Sequence, residues 1–403
     1  MFYLYYSKIM FTGEFFIICI SVFVASIGLG IIVPILPLYA DGLGATGFLL
    51  GLIYSGLFIS MTICNPIVGR LSDRIGKKTF ITCGFGLGII IALSYVWATS
   101  PFDLVIVRLL HGIIAAMIIP VLMAYVGELS PMGKEGSYMG VYTMALFLGM
   151  AAGPVIGGII VDIAGMNFAF YSFASSMGIA FFLTLFFLPS RPPFVSHKAS
   201  KSPVKQILAS NPLKGLFVFG FILAIAQSGI AVFLPLLANN QQLTKTQIGI
   251  LASAFIFVAG ILQPYFGRLS NKYNKVNMVL IGTLIIAIGL AYLPSTNGFW
   301  ILLFVGILIG IAAAIASPAA NAMIVEHSRE IGMGVVAGTM TACNSLGMII
   351  GPIGAGIVMD KINLNSAFYL YSLIFIIGTA LFYYFTRETS HPIIDTHYDK
   401  YPE

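Results

Sequence analysis

The chain has 403 residues, 59% of them apolar and only 8% charged. A soluble domain carries about 25% charged residues to hydrate its surface, so a water-soluble enzyme is excluded and nucleic acid is a poor partner despite the net charge of +6. The length leaves room for about a dozen spans of roughly 20 apolar residues joined by short loops, and no room for a separate soluble catalytic domain.

From the start of the chain, no basic stretch and small-residue cleavage site mark a secretory signal, so the first span is expected to be retained; Met10 is an alternative start to Met1. Cutting the apolar runs at polar or Gly/Pro punctuation predicts helices over 15–40, 47–68, 79–99, 103–126, 138–162, 167–189, 214–238, 247–267, 277–294, 298–325, 334–359 and 366–386. The polar interval Ser190 to Asn211 divides them six and six. The expected organisation is an N-terminal bundle over 1–189, a cytoplasmic linker over 190–213 with an interfacial turn near Val204–Leu208, a C-terminal bundle over 214–386, and a cytoplasmic tail over 387–403. Lys and Arg resist translocation. Placing the N-terminus inside puts seventeen of the twenty basic residues on the cytoplasmic side, leaves Lys245 and Lys361 outside, and leaves Arg108 within a span.

A shift of 198 residues superimposes the halves without a gap. Gly69-Arg70-Leu71-Ser72 falls on Gly267-Arg268-Leu269-Ser270, Gly153-Pro154 on Gly351-Pro352, Asp162 on Asp360, and Ala169-Phe170-Tyr171 on Ala367-Phe368-Tyr369. Each half has an even number of spans, so the copies share one orientation. That predicts a pseudo-twofold axis along the membrane normal and a site between the halves.

Two segments carry specific spacing. Between the second and third helices, Gly69-Arg70-Leu71-Ser72-Asp73-Arg74-Ile75-Gly76-Lys77-Lys78 combines turn-forming glycines with an anion and several cations at helix ends, an arrangement suited to a gate. Its second copy has Asn271 where the first has Asp73. In the fifth helix, Gly149, Gly153, Pro154, Gly157 and Gly158 form a groove for close helix approach with a proline bend.

On these segments the chain is identified as a member of the major facilitator superfamily, and the fifth-helix segment resembles that of its proton-coupled antiporter branch. The run Gly28-Leu29-Gly30-Ile31-Ile32-Val33-Pro34-Ile35-Leu36-Pro37 is similar to bacterial tetracycline and quinolone exporters, and Arg108-Leu109-Leu110-His111-Gly112 resembles the family's fourth-helix arginine motif. The resemblance implies an all-α polytopic membrane protein with twelve transmembrane helices in two pseudo-symmetric six-helix bundles. It further implies a monomer in the inner or plasma membrane that exports small amphipathic or drug-like compounds by alternating access in exchange for protons, without a cofactor. Asp73 is then expected to cap the eleventh helix near Gly332–Val336, and Lys77 to pair with Glu128.

All fourteen Asp and Glu fall at helix ends, loops or tails. The exporters carry a carboxylate three residues before the first Gly of the G-x-G pair, where this chain has Ala25. That departure favours an alternative reading, a facilitator or proton-coupled importer of a neutral metabolite such as a sugar. Arg108 is the lone charge within a span, which makes it a functional candidate; the bland reading is snorkelling to the outer interface or pairing with Asp103. His111 shares its helical face and titrates near neutrality, so it is a candidate proton carrier. Ser26, Gln227, Ser317 and Asn321 are candidate cavity residues. Cys19, Cys64, Cys83 and Cys343 sit in apolar runs and the five histidines are scattered, a pattern of neither metal site nor enzyme.

Overall fold

In the computed structural model of the protein, residues 12–190, 210–328 and 332–387 are described. The turn expected near Val204–Leu208, both candidate start methionines and most of the linker and tail lie outside them. The described residues form twelve α-helices: α1 (Gly13–Gly42), α2 (Gly47–Ile75), α3 (Lys77–Ser94), α4 (Pro101–Leu129), α5 (Glu135–Ala164), α6 (Met166–Phe187), α7 (Asn211–Asn240), α8 (Lys245–Leu269), α9 (Lys275–Tyr292), α10 (Phe299–Ser328), α11 (Met333–Lys361) and α12 (Leu364–Thr386). All are apolar and long enough to cross a bilayer. With no water to satisfy backbone groups there, a helix is the economical way to span, and this is a multi-pass membrane protein.

Local chemistry marks the ends. Thr12 and Thr46 cap α1 and α2, accepting from Phe15 and Leu49 N–H. Ser100 with Asp103, and Thr244 with Gln247, form capping boxes on α4 and α8. One prediction needs correcting: α2 does not stop at 68 but runs to Ile75, so Gly69, Asp73 and Arg74 are helical and the break is Gly76 alone, at φ 113°. Only glycine adopts that conformation freely.

The 198-residue repeat is realised in the packing. In the first half α1 packs on α5 and α6, α2 on α4, and α3 on α4 and α6; in the second, α7 packs on α11 and α12, α8 on α10, and α9 on α10 and α12. The halves meet along two matching seams, α2 with α11 and α5 with α8, and along α1 with α7. Lipid gives helices no hydrophobic drive to associate, so close backbone approach must hold them. An added Cβ on Gly153 would lie 2.6 Å from Gly30 Cα, and one on Gly157 2.9 Å from Ile31 O, which shows how tightly α5 meets α1. Outward-facing Phe182, Phe186, Ile288 and Ile377 are exposed, an apolar surface that fits a bilayer.

Candidate substrate cavity

The start of α1, the end of α6, the start of α7 and the end of α12 share one face, called here the terminal face. Between the halves lies a cavity of about 530 Å³, walled mainly by α1, α2, α4 and α5 from one half and α7 and α8 from the other. Most of its lining is aliphatic or aromatic, and among the described residues no aspartate or glutamate lines it. Among the described residues its ionisable side chains other than tyrosine are Arg108 and His111.

Small residues put Arg108 there. The Ser100–Asp103 capping box starts α4, and Gly112 lets that helix press on α2, where an added Cβ would strike the Leu57 carbonyl and Ser60 Oγ. Arg108 Nε then donates to Ile53 O at 3.2 Å, and the guanidinium stands 5.5 Å from the Tyr54 ring centroid. The side chain is only 7% exposed, and among the described residues no carboxylate pairs with it. Asp103 is spoken for elsewhere: its carboxylate accepts the Thr99 and Ser100 N–H groups at 2.9 Å each as part of the cap. His111, one turn on, is buried, with Nδ1 2.9 Å from the Tyr95 hydroxyl and its ring against Phe173. Tyr95 was not anticipated from the sequence; it lies on α3's C-terminal edge with nothing local to mark it.

Ser26, Gln227 and Ser317 line the cavity. Asn321 does not: one turn farther along α10 it is exposed, beyond the lining.

In the gate segment, Lys77 is buried and bridges two acids, Asp73 at 3.0 Å and Glu128 at 2.5 Å. All three belong to the first half. Among the described residues no hydrogen bond runs from Asp73 to the start of α11, where its capping partner was expected. Arg74 is exposed, Lys78 partly so, and Gly69 has open space around it. The repeat supplies a second ion pair missed in the sequence, Lys275 with Glu326 at 2.8 Å, each 198 positions beyond Lys77 and Glu128.

On the face away from the termini the halves are joined. Asp162 at the end of α5 accepts the Lys245 and Thr246 N–H groups at the start of α8, at 3.0 and 2.8 Å. Asp360 at the end of α11 accepts those of Gly47 and Phe48 at the start of α2, at 2.5 and 2.8 Å. Each carboxylate thus sits at the positive end of a helix in the other half. Ser55 Oγ adds a bond to Ile349 O at 2.7 Å. Backbones nearly touch beneath these caps: Gly158 meets Lys245 and Thr246, and Gly356 meets Gly47. The α5 glycines therefore serve two neighbours, with Gly149, Gly153 and Gly157 against α1 and Gly158, beside Pro154, against α8. The inter-half hydrogen bonds made by Asp162, Asp360 and Ser55 all lie toward this face. Toward the terminal face Ile63 and Ile67 of α2 and Ile261 and Tyr265 of α8 are exposed. Paired caps close the cavity at this face, and exposed side chains of α2 and α8 flank it toward the terminal face.

Comparison with known proteins agrees with this architecture. The profile of the Major Facilitator Superfamily matches residues 18–237 and 216–397. An uncharacterised MFS-type transporter of Methanocaldococcus jannaschii is 30% identical over 381 residues, covering 93% of this chain and 98% of that protein. A homologue of the multidrug resistance efflux pump PmrA in Lactococcus lactis is 28% identical over 382 residues, covering 91% of each. The crystal structure of the nucleoside transporter NupG superimposes with a TM-score of 0.76 at 16% identity, over 93% of this chain and 100% of that one, and so shares the fold. Two six-helix halves related by a 198-residue repeat, a cavity between them and a family profile spanning both halves lead to one assignment: the chain belongs to the Major Facilitator Superfamily of membrane transporters.

Proposed function

We propose that the protein exports small amphipathic or drug-like compounds by alternating access, with both termini in the cytoplasm. The observation that carries this reading is the mostly apolar cavity between the halves, held shut at one face by Asp162 and Asp360. The distribution of basic residues supports placing the terminal face in the cytoplasm, and the reading has the cavity open there. In that orientation the cavity loads from inside or from the inner leaflet, and release requires the Asp162 and Asp360 caps to part. The kinship with a multidrug efflux pump supports the direction. Proton antiport is the proposed drive, with His111 as the proton carrier because no carboxylate lines the cavity.

Flux in everted membrane vesicles tests the reading. Accumulation of an amphipathic dye on imposing an acid interior supports proton-driven export. Dye movement that ignores the pH gradient removes the proton step, and uptake of a neutral sugar in its place supports a metabolite facilitator, the reading that the acid-free cavity also favours.

A further inference from the structure

Resting on the export reading, we propose that the substrate is an amphipathic organic anion, whose carboxylate or comparable monoanionic head is received by Arg108.

Among the described residues the cavity presents one permanent charge, and it is positive. Arg108 is 7% exposed, lines the cavity and has no carboxylate partner among the described residues. Its Nε is committed to the Ile53 carbonyl at 3.2 Å, which fixes the plane of the guanidinium without neutralising it. The Tyr54 ring, 5.5 Å away, braces the group and carries no formal charge. The acid at the head of the same helix, Asp103, is held by the Thr99 and Ser100 amides.

A cation in a low-dielectric wall is unfavourable unless an anion meets it or water reaches it. While the terminal face is unsealed, water can serve. Once the cavity closes for transport, the water must go and a counter-charge must come from the cargo. A lipophilic cation is the wrong cargo, since it meets like charge with no acid to offset it. The remaining wall, built of side chains such as Phe58, Ile118, Phe147 and Met150, accepts an apolar body. One guanidinium in such a wall selects for a single anionic head on an apolar frame. The fork geometry of arginine suits a carboxylate through two parallel N–H···O bonds.

The test uses the full-length protein in lipid nanodiscs and proteoliposomes with three probes of one frame: 2-naphthylacetate, 2-naphthylacetamide and 2-naphthylmethyltrimethylammonium. Binding of the acetate should be about tenfold or more tighter than that of the amide, in keeping with a charge-assisted bond, and weakest for the cation. Arg108→Gln should erase the difference between acetate and amide, and Arg108→Lys should keep part of it. Circular dichroism melting of each variant establishes that it is folded; if Arg108→Gln is not, the wild-type ranking and Arg108→Lys decide. Equal or tighter binding of the cation overturns the proposal, as does an acetate preference that survives in folded Arg108→Gln. Transport of the amide or cation without the acetate sinks the anion proposal and leaves the exporter standing. If none of the three binds or moves, both fall.

Discussion

Asp162 and Asp360 stand 198 residues apart and do the same thing in opposite directions: each carboxylate, at the end of a helix in its own half, accepts two backbone N–H groups from the first turn of a helix in the other. Hydrogen bonds of this kind, aided by the helix dipole, are worth about 0.5–1 kcal/mol each at exposed sites. Two such caps, four of these bonds in all, bias which end of the cavity is closed. Asp162→Ala and Asp360→Ala should each move the population several-fold toward the state open at that face, and the double variant should move it further. Spin labels on Gly42 and Asn240, in a background lacking the four native cysteines, report the change as a longer distance. No change in the distance distribution removes the caps from the gating account.

Glycine substitutions should separate packing within a half from contact between halves. A Cβ on Gly153 meets Gly30 inside the first half, whereas one on Gly51 lies 2.6 Å from the Pro352 carbonyl carbon, across the α2–α11 seam. Gly153→Ala is expected to lower stability by about 1–3 kcal/mol through overpacking. Gly51→Val should leave each half folded and prop the seam open, giving near-normal melting with little transport. A melting loss equal to that of Gly153→Ala would contradict the separation.

The two lysine pairs, though equivalent in the repeat, should not contribute equally. Lys77 and Glu128 side chains are 7% and 23% exposed, against 25% and 50% for Lys275 and Glu326. Lys77 also holds Asp73 at 3.0 Å, where the second copy has Asn271. Lys77→Met strands two acids beside a buried position and should destabilise by about 1–3 kcal/mol, while Lys275→Met should cost under about 1 kcal/mol. Thermal unfolding in detergent compares them directly.

His111→Ala addresses coupling. Under proton antiport the variant should lose export driven by a pH gradient while still exchanging substrate down its own gradient. A pH-driven rate that persists in the variant removes His111 from the proton path.

Much of this was legible from the sequence because it depends on repeats and local chemistry. Apolar runs mark spans, and the register of Gly153-Pro154 on Gly351-Pro352 marks two equivalent halves. The Lys275–Glu326 pair was within reach too, since shifting Lys77 and Glu128 by 198 lands on it. What the sequence hides is what each end touches. The repeat relates Asp162 to Asp360, but neither residue reveals that its partner is an amide in the other half, because those contacts join positions 83 and 313 residues apart in the chain. Expecting a helix end at 68 failed for a simpler reason: a single Gly69 in a long apolar helix is tolerated at roughly 1 kcal/mol, which the surrounding turns readily offset. Asn321 shares a helical face with Ser317 but lies one turn beyond the cavity lining, and depth along a helix is not encoded in periodicity.

Gly76, the lone residue between α2 and α3, has a mechanical consequence. A joint of one residue has no slack, so α3 cannot stay still when α2 tilts; Gly165 imposes the same constraint between α5 and α6. Both seam-forming helices of the first half are therefore hitched directly to the helices behind them. A tilt of α2 driven from its Gly47 end would therefore displace the start of α3, and with it Lys77 and its pairs to Asp73 and Glu128.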